Sequence, residues 1–255
     1  MSTVSTFDLK DVQELRRRAS ATWTKEVPAE DTPEGWSESP FDVAKIVAAF
    51  PPLRIKPTMT LRAYQFLTRD DGNGVVWAMP QSEPLPQPRK CRKTGLPRHA
   101  WALGAIPDLK APRPPKALDD PMKAIEGDGT PWSYLCASLL ARELDEFGAF
   151  GHGSNWVAFH ILGSDPWSDA HQAANAYPDN APTGTPADWQ WPEPKPVEWR
   201  PTVSLDTRSA IVTFYTFCGL GGQRITRHVD TYTLGQYWFD ADERTIAAGP
   251  RGYVW

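Results

Sequence analysis

Two residues able to do covalent chemistry together stand far apart in this chain: Cys136, inside a helical stretch, and His228, in the strand-like run RITRHVDTY. A helical cysteine followed by a strand histidine is an order that serves thiolate attack with imidazole as base. Asp230, two residues on and so on the same strand face, is placed to orient the ring. A cysteine-dependent hydrolase on Cys136, His228 and Asp230 is therefore one reading. The placement of Cys136 argues against it. The thiol lies on the same stripe as Trp132, Leu139 and Leu140, whereas a thiolate is best stabilised by the free N–H groups at a helix N-terminus. A core thiol is the expected role, since free cysteine is among the most buried residue types.

The most chemically loaded loop follows that helix. Gly148, Gly151 and Gly153 surround His152, Ser154 and Asn155, which makes these three polar residues the candidate lining of a small-ligand pocket at 148–156. His152, His160, Asp165, Asp169 and His171 crowd into twenty residues, a donor set suited to zinc, iron or manganese. Crowding is not spacing: no H-x-H, H-x-x-x-H or H-E-x-x-H occurs, His160 sits in an apolar run and Asp165 has a capping position, so no metal and no cofactor is expected. Asp70–Gly74 lacks the ligand pattern of a calcium loop. The run Gly219, Leu220, Gly221, Gly222 leads into a strand and not a helix, so it is a hairpin turn and not a phosphate cradle.

Charge is the strongest asymmetry. Between Arg89 and Lys116 stand eight cations, Arg89, Lys90, Arg92, Lys93, Arg98, Lys110, Arg113 and Lys116, against Asp108 alone. The segment thus carries +7 in a chain whose total is −4, which leaves −11 on the remainder. A basic, proline-stiffened arm on an acidic body suits an acidic protein surface or a nucleic acid, and Trp101 could add stacking. The partner-binding candidates are Arg89, Lys90, Arg92, Lys93, Arg98 and Trp101.

These residues must be positioned by a small set of elements. Thr130 as N-cap, Pro131 at the first position and Trp132, Leu135, Cys136, Leu139, Leu140, Leu144 and Phe147 at helical spacing predict a helix ended by Gly148, with Arg142, Glu143, Asp145 and Glu146 on its polar face. Residues 7–21 and FDVAKIVAAF predict two further helices, and Asp165 with Pro166 opens a short fourth toward Tyr177. WVAFHIL (156–162) reads as a buried strand, and TLRAYQFLTR with GVVWAMP as a hairpin turning at Asp70–Gly74, with Asn73 and Gly74 in the turn. Residues 202–255 are almost wholly β in character: SAIVTFYTFC, QRITRHVDTYTL, QYWFDA, RTIAAG and GYVW. The fold class expected is α+β: a twisted antiparallel sheet, made of the C-terminal meander plus the 60–80 hairpin, covered by three or four helices.

Proline and tryptophan organise the connections. Of 26 prolines, ten fall between Pro80 and Pro121 and six between Pro182 and Pro201. A single domain over 1–255 is expected, with a Pro-rich basic arm at 81–116 and a Trp/Pro-rich segment at 182–201 whose Trp189, Trp191 and Trp199 wrap the fold. Three cysteines without C-x-x-C spacing exclude a disulfide framework and a structural zinc site. No run reaches the ~18 apolar residues of a membrane span, and the charged N-terminus is unlike a signal peptide. The class expected is a cytoplasmic, non-catalytic interaction protein that offers its basic arm and Trp-rich surface to a partner. A protein is the first choice of partner and nucleic acid the second, with no membrane and with oligomerisation open.

Overall fold

The computed structural model describes residues 2–23, 35–67, 72–94, 110–149, 156–168 and 181–252. In chain order these form β1 (Thr3–Thr6), α1 (Leu9–Trp23), β2 (Ser37–Glu38), α2 (Ala44–Ala48), β3 (Leu53–Ile55), β4 (Met59–Leu67), β5 (Gly72–Pro80), β6 (Arg92–Thr94), β7 (Ala111–Arg113), β8 (Ile125–Gly127), α3 (Pro131–Asp145), β9 (Phe159–Ile161), β10 (Thr202–Leu205), β11 (Ser209–Cys218), β12 (Gly222–Thr233) and β13 (Phe239–Arg251). No described helix is long and apolar enough to cross a membrane. Two compact units emerge. One comprises Met1–Gln13, Ala158–Leu234 and Phe239–Trp255, the other Glu14–Val157 with Gly235–Trp238.

The first unit is built on a six-stranded antiparallel sheet in the order β1-β10-β11-β12-β13, with β9 pairing β11 beyond the end of β10. β11 and β12 face each other across Gly219–Gly221, and Gly221 takes a φ of +74°, the left-handed backbone that glycine adopts without a Cβ clash. Strand alternation sorts the side chains. Val203, Val212, Phe214 and Tyr232 are buried on one face, while Phe217, Ile225 and Ala247 on the other join Leu162, Ile246, Trp189 and Trp199 in a common core. The Trp/Pro segment is hydrogen-bonded to the sheet as well as packed on it. Gln190 donates to and accepts from Ala248 on β13 at 2.8 and 2.9 Å.

The second unit holds a three-stranded sheet, β2-β4-β5, and two two-stranded ribbons, β3-β8 and β6-β7. α3 packs against β5 and α2. Thr130 caps α3 by accepting from the Ser133 N–H at 3.3 Å, and Gly148, at φ +72°, carries the chain off its C-terminal end. Tyr134 of α3 stacks on Tyr237, with ring centroids 5.0 Å apart and 6° between planes.

This architecture overturns the expected one. The chain is sheet-rich with three α-helices among the described residues, and the 59–80 hairpin lies in a sheet separate from the C-terminal meander. The reason lies in burial. Gly72–Met79 is buried at every residue, so β5 is covered on both faces, whereas β11 and β12 show buried positions alternating with more exposed ones. Asn73 and Gly74, expected in the hairpin turn, stand inside β5 opposite Phe66 and Gln65. A Cβ on Gly74 would overlap the Phe147 backbone, so glycine there serves a close approach rather than a turn. QYWFDA and RTIAAG are not separate strands: β13 runs unbroken from Phe239 to Arg251. The WVAFHIL run begins as a 3-10 turn at Trp156–Ala158 before β9. The expected helix from Asp165 to Tyr177 lies largely outside the described residues.

Candidate functional site

The basic arm enters the described structure at two places, Pro88–Thr94 and Lys110–Lys116. They meet as the ribbon β6-β7, with Arg92 opposite Arg113, Lys93 opposite Pro112 and Thr94 opposite Ala111. Arg98 and Trp101 lie outside the described residues. The ribbon is held by its apolar members. Cys91 and Ala111 sit in a core with Tyr64, Val75, Trp77 and Ala117, and the Trp77 indole N–H donates to the Pro112 carbonyl at 2.8 Å. The Tyr64 hydroxyl bonds to the Pro86 carbonyl and lies 3.2 Å from the Cys91 sulfur; burial, then the Cys91 neighbour, push the phenol far above its ordinary range and keep it protonated.

Anchoring by apolar groups leaves the cations outside. Arg89, Lys90, Arg92 and Lys93 are all exposed, and among the described residues none of the four forms an ion pair. Arg89 donates only to the neutral amide of Gln87, at 3.0 Å. The two arm cations that do find partners stand at the other end of the segment. Lys116 pairs with Glu83 at 2.7 Å, and Arg113 donates to the Ala117 carbonyl and covers the Trp77 ring at 5.4 Å. Arg92 faces the like-charged Arg113 across the ribbon, which costs stability in isolation and raises the local positive potential. Arg89 and Lys90 in the 3-10 turn Pro88–Lys90 and Arg92 and Lys93 on β6 thus place four exposed cations within five residues.

The loop carrying His152, Ser154 and Asn155 lies outside the described residues, but its two flanks are defined. Glu146, at the end of α3, accepts from the backbone N–H groups of Trp156 at 2.9 Å and Val157 at 3.3 Å. The Trp156 indole N–H donates to Glu143 at 3.0 Å, Arg16 donates to the same Glu143 oxygen at 3.2 Å and to the Trp156 carbonyl at 3.0 Å, and the Arg16 guanidinium lies 4.2 Å from the indole centroid. Arg142, expected on the solvated face of α3 with Glu143 and Glu146, is buried like both of them. Helical periodicity cannot separate a solvated charged face from a buried, paired one. The only sequence signal was the density of charge next to a tryptophan.

Cys136 is fully buried in α3, and desolvation, with a smaller contribution from the Asp128 charge, pushes its thiol well above its ordinary range. It is a thiol at neutral pH and makes a poor nucleophile. His228 belongs to the other unit and is itself 2% exposed. Its Nε2 lies 2.8 Å from the Thr216 hydroxyl and its Nδ1 3.0 Å from a Glu243 carboxylate oxygen, while Phe214 stacks on the ring at 4.6 Å. Three adjacent strands therefore build a hydroxyl, imidazole and carboxylate row, with Glu243 holding Nδ1; Asp230 sits on the same face, fully buried. Sequence alone does not single out Glu243, because its register opposite His228 is a property of the β12–β13 pairing. Thr216 is fully buried and His228 nearly so, while the Glu243 side chain is 20% exposed. Among the described residues no group of three or more His, Cys, Asp or Glu could hold a metal ion.

No protein-family model, curated protein or solved structure matches this chain.

Proposed function

We propose that this chain is a non-catalytic interaction protein that presents the β6-β7 ribbon to an acidic surface on a protein partner. The observation that carries the reading is the set Arg89, Lys90, Arg92 and Lys93, exposed and without a carboxylate partner among the described residues, on and just before a ribbon whose apolar residues are locked into a core. The backbone that carries these cations is already ordered when an anionic surface arrives, and the charges steer its approach. Trp189 and Trp199 are taken up by the core of the large sheet, so the reading rests on charge and not on these indoles. The Cys136–His228 hydrolase receives no support from a buried, protonated thiol.

The test is a capture from native cell extract comparing wild type with the variant Arg89→Gln, Lys90→Gln, Arg92→Gln, Lys93→Gln, with a nuclease-treated lane. It is paired with direct titration of a labelled glutamate-rich peptide and of a single-stranded oligonucleotide. The expected result is a salt-sensitive partner that survives nuclease and vanishes in the variant, with the peptide bound by wild type alone. A partner lost on nuclease treatment would move the reading to nucleic acid, whose phosphates would use the same cations. Equal binding by wild type and variant would overturn it.

A further inference from the structure

At the edge of the Trp-rich core of the large sheet stands Trp167, only partly buried. The buried Trp189 meets it nearly at right angles, with centroids 5.2 Å apart and 85° between planes, and Trp191 flanks it at 5.7 Å and 53°. Each indole N–H is tied to a backbone carbonyl: Trp167 to Gly184 at 3.2 Å, Trp189 to Thr183 at 3.0 Å and Trp191 to Pro186 at 3.1 Å. The rings are therefore fixed in place before anything binds. Over Trp167 lies the ammonium of Lys195, 5.3 Å from the ring centroid, and the same nitrogen stands 2.6 Å from the Asp165 carboxylate.

A preset indole face, a second indole inclined to it and a carboxylate are the components with which proteins bind organic cations. The lysine is a modest occupant. Its ammonium is compact and strongly hydrated, and its N–H groups prefer water to a ring. A quaternary ammonium has no N–H to satisfy and spreads its charge over methyl groups that can lie against both indoles. We propose that Trp167, Trp191 and Asp165 form a binding site for a quaternary ammonium group, with Lys195 as its intramolecular competitor. The lysine side chain is 37% exposed, and the exchange requires it to leave the Asp165 carboxylate for solvent when the ligand enters. An exposed cation–π contact and a surface ion pair together hold it in place by a factor of about ten, and the apparent affinity for ligand is reduced by about that factor.

The chemistry is shared by a trimethylated lysine side chain and by a choline headgroup, and the two are separated by experiment. The Trp167 indole N–H of the full chain is followed by NMR while choline, Nε-trimethyllysine or the uncharged isostere 3,3-dimethylbutan-1-ol is added at constant ionic strength. Saturable shifts with a charged ligand are expected, with about tenfold tighter binding in Lys195→Ala and weaker binding when Asp165→Asn is added to Lys195→Ala, where no competitor is left to release; tighter binding of trimethyllysine points to a methylated protein tail and of choline to a lipid headgroup. Trp167→Leu, checked for folding by circular dichroism, loses the site when followed at the Trp191 indole N–H. The proposal is overturned if neither charged ligand saturates Lys195→Ala, or if the uncharged isostere binds as tightly as choline.

Discussion

The Glu146 carboxylate accepts from the backbone N–H of Trp156 at 2.9 Å, tying the end of α3 to the chain ten residues further on. The same carboxylate also takes the Val157 N–H, so one 4%-exposed side chain closes both flanks of the glycine-rich loop at 150–155.

Replacing Glu146 with Ala leaves the buried Trp156 N–H and the part-buried Val157 N–H without their acceptor, and the expected loss is about 2 kcal/mol in urea unfolding. Glu146→Gln, which keeps an acceptor oxygen, should lose clearly less. Equal losses would mean that charge and not hydrogen bonding matters there.

Gly249 lies against the Trp189 ring so closely that a Cβ would overlap it. Gly249→Ala should destabilise the protein by about 1–3 kcal/mol through overpacking. Gly222→Ala, which meets nothing within 4 Å, should stay within about 0.5 kcal/mol of wild type in the same thermal unfolding series.

Cys91, Cys136 and Cys218 are all free and buried. Iodoacetamide at neutral pH should label Cys136 only after denaturation, as mass spectrometry of tryptic peptides would show. Rapid labelling of native Cys136 would return the thiol to the list of nucleophiles.

On α1, hydrogen bonds from Arg17 and Arg18 draw the Glu14 carboxyl from 4.5 down to about 2. A carboxylate whose folded value is depressed stabilises the fold above its unfolded value and loses that contribution as pH falls from about 4.5 through 2. Carbon-detected NMR titration should place the Glu14 midpoint well below that of an unpaired glutamate. A midpoint at the ordinary value would show that these exposed pairs do not persist in solution.

Reversing one ribbon charge should separate stability from binding. Arg92→Glu turns a like-charged cross-strand pair with Arg113 into an attractive one and should raise stability by about 0.5 kcal/mol. It should also weaken capture by the glutamate-rich peptide. A loss of both would show that Arg92 supports the ribbon in some other way.

The legible parts of this protein were those dictated by neighbours in sequence. Thr130 and Gly148 bounded α3 by capping chemistry, and Gly219–Gly222 marked the turn between β11 and β12. Trp189 and Trp199 were too apolar to remain in water, and they are packed on the sheet. What misled was the meaning of local patterns whose surroundings lie far away. GVVWAM is equally apolar whether it joins a large meander or is enclosed within a small sheet, and the charged face of α3 has the same periodicity whether it meets water or Arg16 and Trp156.

The amino-acid sequence by itself determined the caps of α3, the turn between β11 and β12, and how positive charge is gathered between Arg89 and Lys116, because capping, glycine backbone freedom and charge counts act over a few residues. Tertiary structure alone decided that β1 pairs with β10 some two hundred residues away, that Glu243 stands opposite His228, and that Arg89, Lys90, Arg92 and Lys93 are exposed while Glu143 and Glu146 are buried. Strand register and the pairing of buried charges depend on which distant surfaces meet, and no local propensity encodes that meeting.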